Sequence, residues 1–419
     1  RPVNMYIGPD GALYVLDYYR RVIESPEWMS AQAIAAGGLY DGSDRGRIYR
    51  TSPVNAEKAT WTKGLQLGSA GTEELVKNLA NPNIWWRMNA QRLLVDRADK
   101  SGIRALISMA GNPVSPMGRL HALWTLEGMG ELTSGLIKEA LKDSVAGIRE
   151  NAIRLAELHL SSSPDLAKEI LALESDPNAK VRFQLLLTLG YINSPQAVRV
   201  RNKLLFADIH DKWVQIAALS APSSQTASLL KMVLEKFRAN DPAYASLVQR
   251  LTAMTGAGSA TESIHLLIQK ATDVHANEAA WQAPVLEGLA GGMENRKSPF
   301  RVSEPDQRLL VKTFFESHSE PLRRASLQML RVNGISGESL KTASLAKAIS
   351  IAENSAMPEG KRAEAIDFLT LGDPSGQVFM LEKLLVPQEQ PVVQLAVLRT
   401  LNQVPSNNVS DYLIRQWPV

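Results

Sequence analysis

Ile148-Arg149-Glu150-Asn151-Ala152-Ile153-Arg154-Leu155-Ala156 is the stretch whose reading decides the fold. Apolar or small residues stand at Ile148 and four, seven and eight positions further on. That spacing lays them along one stripe of a helix. The same offset recurs at Trp86, Ala90, Leu93 and Leu94, and at Val181, Leu185, Thr188 and Leu189. Towards the C-terminus it returns at Trp281, Val285, Gly288 and Leu289, at Leu322, Ser326, Met329 and Leu330, and at Val393, Val397, Thr400 and Leu401. An arginine or glutamine follows many of the anchors: Arg87, Arg119, Arg149, Arg182, Gln215, Gln282, Arg323, Arg362 and Gln394. Shorter apolar helices are expected ahead of these, for example over Glu73–Leu79, Leu136–Leu141, Leu166–Leu173 and Phe379–Leu385. Turns such as Asn81-Pro82 and Asp176-Pro177 separate the two members, with proline suited to the first helical position.

A repeat of about 30–40 residues built from two helices implies a stack, because one pair cannot bury its own stripe and neighbours in register share a core. The expectation is a mainly α chain, a HEAT-like α-solenoid of about ten pairs over residues 72–419, the last incomplete. Length agrees: 419 residues exceed what a single core usually holds.

The first fifty residues follow another rule. Val3-Asn4-Met5-Tyr6-Ile7 alternates, Gly8-Pro9-Asp10-Gly11 turns the chain, and Ala12-Leu13-Tyr14-Val15-Leu16-Asp17 suits a second strand. A glycine-rich passage from Gly37 to Gly46 leads into a third, Arg47-Ile48-Tyr49-Arg50. Residues 1–55 therefore read as a small antiparallel β segment, and 56–71 as a linker. Three strands cannot build a stable sheet sandwich alone, so they need further strands or must lean on the helices.

Composition excludes several classes. Apolar residues make up 45% and charged residues 21%, so the chain is neither disordered nor built from membrane spans, and it has no run of about 18 apolar residues. A net charge of +3 does not advertise a nucleic-acid partner. Cysteine is absent, which removes disulfides, thiolate metal sites and covalent c-type haem. The six histidines, at 121, 159, 210, 265, 275 and 318, form no HxxxH or HExxH pair, and no GxSxG, P-loop or dinucleotide fingerprint occurs. Both ends, Arg1-Pro2-Val3 and Trp417-Pro418-Val419, read as cut, and no signal peptide is visible.

Individual candidates are mostly structural. Asp208-Ile209-His210-Asp211 is the densest metal-like cluster, but it falls at a turn where aspartate caps the next helix. His121 reads as a hydrogen-bonded structural histidine and Trp86 as core. Asp41-Gly42-Ser43-Asp44-Arg45-Gly46-Arg47 lacks the fifth- and twelfth-position ligands of a calcium loop and reads as a hairpin. No catalytic or metal-binding residue is expected. The candidate binding surface is Asp17, Tyr18, Tyr19 and Arg20, with Arg21 beside them, aromatic and charged groups at a strand end. The same cluster could equally pack the sheet onto the first helix pair.

The stretch from Arg1 to Tyr19, together with Asp44-Arg45-Gly46-Arg47-Ile48-Tyr49-Arg50, resembles the closing blade of a bacterial β-propeller of the glucose/sorbosone dehydrogenase type. Gly118-Arg119-Leu120-His121-Ala122-Leu123-Trp124-Thr125-Leu126-Glu127-Gly128 is similar to an early HEAT unit of the large proteins, sometimes described as membrane-bound dehydrogenases, that fuse such a propeller to HEAT repeats and often to a c-type cytochrome domain. The resemblance implies an extracytoplasmic parent, in the bacterial periplasm or at the cell surface. It implies pyrroloquinoline quinone, calcium and c-type haem outside this segment, with no cofactor in it. No histidine precedes position 121, so no catalytic residue is carried over. The implied role is a non-catalytic spacer that docks adjoining domains or a protein partner, with no nucleic acid and no membrane span. A pure protein-interaction scaffold without any redox role is the alternative, and a stand-alone enzyme acting from the Asp17–Arg21 cluster is a third reading.

Overall fold

The computed structural model describes residues 2–54, 66–220, 225–258, 261–273, 279–296, 300–404 and 414. The linker expected at 56–71 lies outside these as far as residue 65, and so do His275 and, Ile414 apart, the unfinished pair expected at the chain end. The chain divides into two compact units, Arg1–Phe206 and Ala207–Val419. The expected architecture is what is observed: a mainly helical chain, stacked from helix pairs and preceded by a small antiparallel sheet.

The first unit begins with strands β1 (Pro2–Ile7), β2 (Leu13–Asp17) and β3 (Arg47–Thr51) in the order β1-β2-β3. Met5 pairs with Val15 and Val15 with Tyr49, while Ile7 pairs with Leu13 and Leu13 with Thr51. Strand alternation puts these rows on one face, with Tyr6, Tyr14 and Arg50 on the other. Every residue of β1 and β3 is exposed, and those of β2 are half-buried. The route from β2 to β3 is no tight hairpin. It carries a 3₁₀ turn at Pro26–Trp28 and the short helix α1 (Ala31–Ala35), which Ser30 caps by accepting from the Ala33 N–H.

Four helix pairs follow in this unit: α2 (Thr72–Asn78) with α3 (Ile84–Arg97), α4 (Ile103–Ala110) with α5 (Pro116–Gly128), α6 (Ser134–Ala140) with α7 (Ala146–His159), and α8 (Leu166–Leu171) with α9 (Ala179–Thr188), before α10 (Pro195–Ala207). The second members α3, α5, α7 and α9 pack on one another in sequence order, and α2 packs on α4 and α6 on α8. The stripe works as its spacing demands: Ile148, Ala152, Leu155 and Ala156 are all buried, as are Val181, Leu185, Thr188 and Leu189.

The second unit contains α11 (Lys212–Leu219), then α12 (Thr226–Glu235) with α13 (Pro242–Ala257), α14 (Thr261–Ala271) with α15 (Gln282–Glu294), α16 (Glu304–Glu316) with α17 (Glu320–Asn333), α18 (Glu338–Glu353) with α19 (Glu359–Phe368), and α20 (Val378–Lys383) with α21 (Pro391–Leu401). Here α13 packs on α15, α15 on α17 and α19 on α21. Between α13 and α15 the backbones nearly touch: a Cβ on Gly288 would lie 2.0 Å from Thr252 Oγ1 and 2.3 Å from the Gln249 carbonyl oxygen.

The arginine row explains how the repeats lock. Each turn inside a pair leaves carbonyls that the first helix cannot satisfy. The arginine of the second helix reaches back to them, and in Arg119, Arg149, Arg323 and Arg362 also forward to a carboxylate in the next repeat. Arg119 donates from Nη1 to the Asn112 carbonyl (2.7 Å) and from Nε and Nη2 to Asp143 (2.8 and 3.0 Å). Arg149 donates to the Asp143 carbonyl (2.7 Å) and, through Nε and Nη2, to Asp176 (2.7 and 2.9 Å). Arg182 then donates to the Asp176 carbonyl (2.8 Å). One aspartate thus takes the preceding arginine on its side chain and the following one on its backbone. In the second unit Arg323 grips Glu364 (2.6 and 3.1 Å) and Arg362 grips Glu389 (2.9 and 2.7 Å). Glutamine rungs are neutral: Gln215 donates to the Ile209 and Ala243 carbonyls (2.8 and 3.0 Å), Gln282 to that of Asp273 (3.1 Å) and Gln394 to that of Val386 (2.6 Å).

Candidate functional site

The β segment has a docked end and a free end. At the docked end, the Gly8–Gly11 turn closes with Gly8 N–H to the Ala12 carbonyl (2.9 Å), and Gly11 takes the left-handed φ of +78° that such a tip requires. Asn83 caps α3 through Oδ1 to the Trp85 N–H (2.9 Å), and its Nδ2 donates to the carbonyls of Gly8 (2.9 Å) and Pro9 (3.1 Å). Trp86 adds its indole N–H to the Pro9 carbonyl (2.9 Å). Trp86 is half-buried, so it is a clamp on the hairpin as much as a member of the helix stripe. Behind the tip, the Asp10 side chain is 4% exposed and accepts from Arg50 Nε (2.7 Å), Tyr14 OH (3.2 Å) and the Ala12 N–H (3.2 Å). Burial pushes its carboxyl up, but Arg50 and the Ala12 N–H together outweigh this and hold it below the usual range.

The free end lies across the sheet, where β2 finishes at Asp17 opposite Arg47. Tyr19 takes a left-handed φ of 49°, its N–H donating to Asp17 Oδ1 (2.9 Å). The loop before β3 folds onto it. Arg21 N–H donates to the Asp41 carbonyl (3.1 Å), and a Cβ on Gly42, whose φ is +80°, would sit 2.1 Å from the Tyr19 carbonyl oxygen. Only glycine fits that close approach. Between these segments is an open groove of about 510 Å³ lined by Tyr19, Arg20, Arg21, Asp41, Gly42, Asp44 and Arg45. Arginine and tyrosine interleave around it: the Arg20 guanidinium lies 5.3 Å from the Tyr18 ring and 5.4 Å from the Tyr40 ring, and Arg47 lies 4.2 Å from the Tyr19 ring.

Of the four candidate residues, Tyr19 and Arg20 line the groove, whereas Asp17 and Tyr18 support it from behind. The contacts to the first helix pair come from Gly8 and Pro9 at the opposite end. Tyr40, Asp41, Gly42, Asp44 and Arg45 complete the free end and were not singled out as its walls. Their signals in the sequence are the glycine-rich run from Gly37 to Gly46 and the calcium-loop-like spacing of Asp41–Arg47, and neither points to a groove wall. The other sequence candidates are tied into the repeats. Asp211 caps α11 by accepting from the Trp213 N–H (2.7 Å), and His210 Nε2 meets Asp241 (3.1 Å). His121 Nδ1 meets Gln91 Oε1 (2.6 Å) while Arg87 Nε approaches its Nε2 (3.3 Å), which assigns the neutral ring with its proton on Nδ1. Burial, with the Arg87 charge second, pushes this imidazole down to about 4. Among the described residues no group of three or more His, Asp or Glu could hold a metal ion, and no helix is long and apolar enough to cross a membrane.

Residues 1–55 match the family described as Domain of unknown function (DUF7133). The match covers the β segment with α1 and stops short of the helix pairs, which begin at Thr72. A comparison with curated proteins finds no match. Among solved structures, the chain is similar to Kap121p in its crystal structure with Pho4p, at 14% identity over 85% of this chain and 39% of that one, with a TM-score of 0.36. It is also similar to a chain from a structure titled as a conserved phosphorylation switch controlling the interaction between cadherin and β-catenin, at 15% identity over 81% of this chain and 94% of that one, with a TM-score of 0.28. The chain thus spans 39% of the length of the first of these.

Proposed function

We propose that this chain is a non-catalytic scaffold, in which a stack of helix pairs carries an incomplete β-sheet at a fixed position for docking to a protein partner or to adjoining domains of the same polypeptide. The observation that carries this reading is the β segment's two-ended character. Asn83 and Trp86 pin its tip to the helices, yet both outer strands are exposed along their whole length. Met5 (58% exposed) and Tyr49 lie open on one face of the sheet and Ile48 (70% exposed) on the other, apolar surface that further protein would cover. The arginine rungs suit the role of spacer, since each fixes one repeat to the next.

The finer form of the proposal follows the resemblance: the β segment is the closing blade of a sugar-dehydrogenase-like propeller, and the parent is an extracytoplasmic bacterial protein whose quinone, calcium and haem lie outside this segment. The absence of cysteine accords with an oxidising compartment. Incubating the chain with aldoses and an artificial electron acceptor should give no turnover, and turnover would overturn the scaffold reading. Further Gly-Pro-Asp-Gly hairpins upstream and a CxxCH motif downstream in the reading frame are the expected context. If both are missing, the pure interaction scaffold replaces the dehydrogenase parent.

A further inference from the structure

We propose that the groove at the free end of the sheet binds an acidic segment of a partner protein, with one Asp or Glu carboxylate gripped by the Arg20 guanidinium. It deepens the scaffold reading by naming the chemistry of the partner, and it rests on that reading for the occupant being a protein.

The unpartnered group is Arg20. Its neighbours are engaged: Arg21 with Asp41 at 3.6 Å, Arg45 with Asp44 at 3.9 Å, and Arg47 with the Tyr49 hydroxyl at 3.3 Å. Arg20 is half-buried and, among the described residues, has no hydrogen bond and no ion pair. Its guanidinium is instead positioned by the Tyr18 and Tyr40 rings. These stabilise the cation without using its N–H donors. A fork of donors held in place and left empty suits a planar carboxylate, which can take two of them in parallel. The groove lining sums to one net positive charge, from Arg20, Arg21 and Arg45 against Asp41 and Asp44.

Shape selects the occupant. A volume of about 510 Å³ falls within the usual range of ligand sites, but the groove is open rather than enclosed, as fits a segment of a larger molecule. An acidic polysaccharide would call for free aromatic platforms. Here Tyr18, Tyr19 and Tyr40 each already face a guanidinium. Arginine and tyrosine are the side chains that dominate protein interfaces, and the groove stands at the end of the sheet away from the docked tip, where a partner has access.

The test is fluorescence anisotropy on the whole 419-residue chain with a labelled Gly-Glu-Glu-Leu-Glu-Glu-Gly peptide, its all-glutamine version, and oligogalacturonate as competitor. The glutamate peptide should bind saturably and weaken with added salt. Arg20→Gln should weaken it about tenfold or more, as loss of a charge-assisted pair implies, and Arg20→Lys by less. The glutamine peptide should bind weakly to the wild type and be indifferent to Arg20→Gln. Tyr40→Ala, which frees the guanidinium, should weaken binding while leaving thermal unfolding unchanged. No saturable binding of the glutamate peptide, or binding that Arg20→Gln leaves intact, overturns the proposal. Binding of oligogalacturonate tenfold tighter than the peptide overturns the occupant. Failure here with a catalytically silent chain removes the groove and leaves the scaffold standing; sugar turnover removes the scaffold whatever the groove binds.

Discussion

Replacing Asp176 by asparagine cuts one rung of the first unit with little change of shape. The wild-type carboxylate is 3% exposed and accepts from Arg149 Nε (2.7 Å), Arg149 Nη2 (2.9 Å) and the Asn178 N–H (2.8 Å). Asparagine keeps one acceptor oxygen but turns an NH₂ group towards the guanidinium. Breaking a buried pair by removing one charge costs about 3–5 kcal/mol. Arg149 retains its bonds to the Asp143 and Ser144 carbonyls and is 12% exposed, which places the expected loss at the low end, about 3 kcal/mol. At about 1.4 kcal/mol per decade this is roughly a hundredfold rise in local opening. Hydrogen exchange of α7 and α9 at neutral pH is the assay, with urea unfolding as its companion. The pH dependence has a definite sign. The Arg149 hydrogen bond holds the Asp176 carboxyl below its usual range, outweighing burial. Such a group stabilises fully above its unfolded value of about 3.9 and loses that contribution as pH falls through its lower folded value. The deficit of the variant should therefore be constant near neutrality and close only in acid below about pH 4. Exchange in α7 and α9 equal to wild type at pH 7, or a deficit that persists undiminished in strong acid, would refute the rung.

Trp86→Phe removes the indole donor to Pro9 and should cost about 1 kcal/mol, seen as faster exchange at Gly8–Ala12 and easier proteolytic release of the β segment; unchanged rates would mean the clamp is idle. Gly288→Ala and Gly291→Ala should have opposite signs. The first forces a Cβ against the Gln249 carbonyl and Thr252, an overpacking of about 1–3 kcal/mol only partly offset by helix propensity. The second meets nothing within 4 Å and should gain up to about 1 kcal/mol, so urea midpoints moving together would refute the close approach of α13 and α15. His121 is held neutral, its imidazole pushed down to about 4 by burial and then by Arg87. The unfolded chain binds the extra proton first, so stability falls as pH drops from about 6.5 towards 4, by about 1–2 kcal/mol after solvent screening. His121→Gln should flatten that window, and a slope the same as wild type would count against the assignment.

The helical stack was legible because its signal is periodic: Ile148, Ala152, Leu155 and Ala156 announce a buried stripe by spacing alone, and all four are buried. The arginine row was legible for the same reason, but its acidic partners were not. They lie in the next repeat, at separations of 24, 27 and 41 residues that vary with helix and turn length. A residue offset cannot reveal a contact whose sequence distance is not fixed. Within a repeat the sign was there to read, since Asp143 and Asp176 each stand six residues ahead of the arginine that bonds their carbonyl. At the free end of the sheet, Tyr19 and Arg20 stood out as the end of a strand. Tyr40 and Asp41 did not, because only the path through the Pro26–Trp28 turn and α1 returns them to it. Trp86 read as core because the stripe says which way a side chain faces and not what the hairpin will place there.

The rungs also show two ways of solving one problem. Every turn between paired helices leaves carbonyls that must be met from inside, and both arginine and glutamine at the same helical position meet them. Arginine brings a charge inward, and Arg119, Arg149, Arg323 and Arg362 meet Asp143, Asp176, Glu364 and Glu389 across the repeat boundary, which offsets the cost of burying a guanidinium, whereas Arg87 faces the neutral His121 ring. Glutamine brings none and needs no acid, and Gln282 meets the Asp273 carbonyl with its neutral amide alone. Where Gln282 replaces the charge, at the start of α15, the neighbouring helices α13 and α15 instead come together through glycine, backbone almost on backbone. Charge fixes one repeat to the next in α5–α9 and α17–α21, and close packing does so at α13–α15. Both devices are the short-range contacts between neighbours that a stack of repeats depends on.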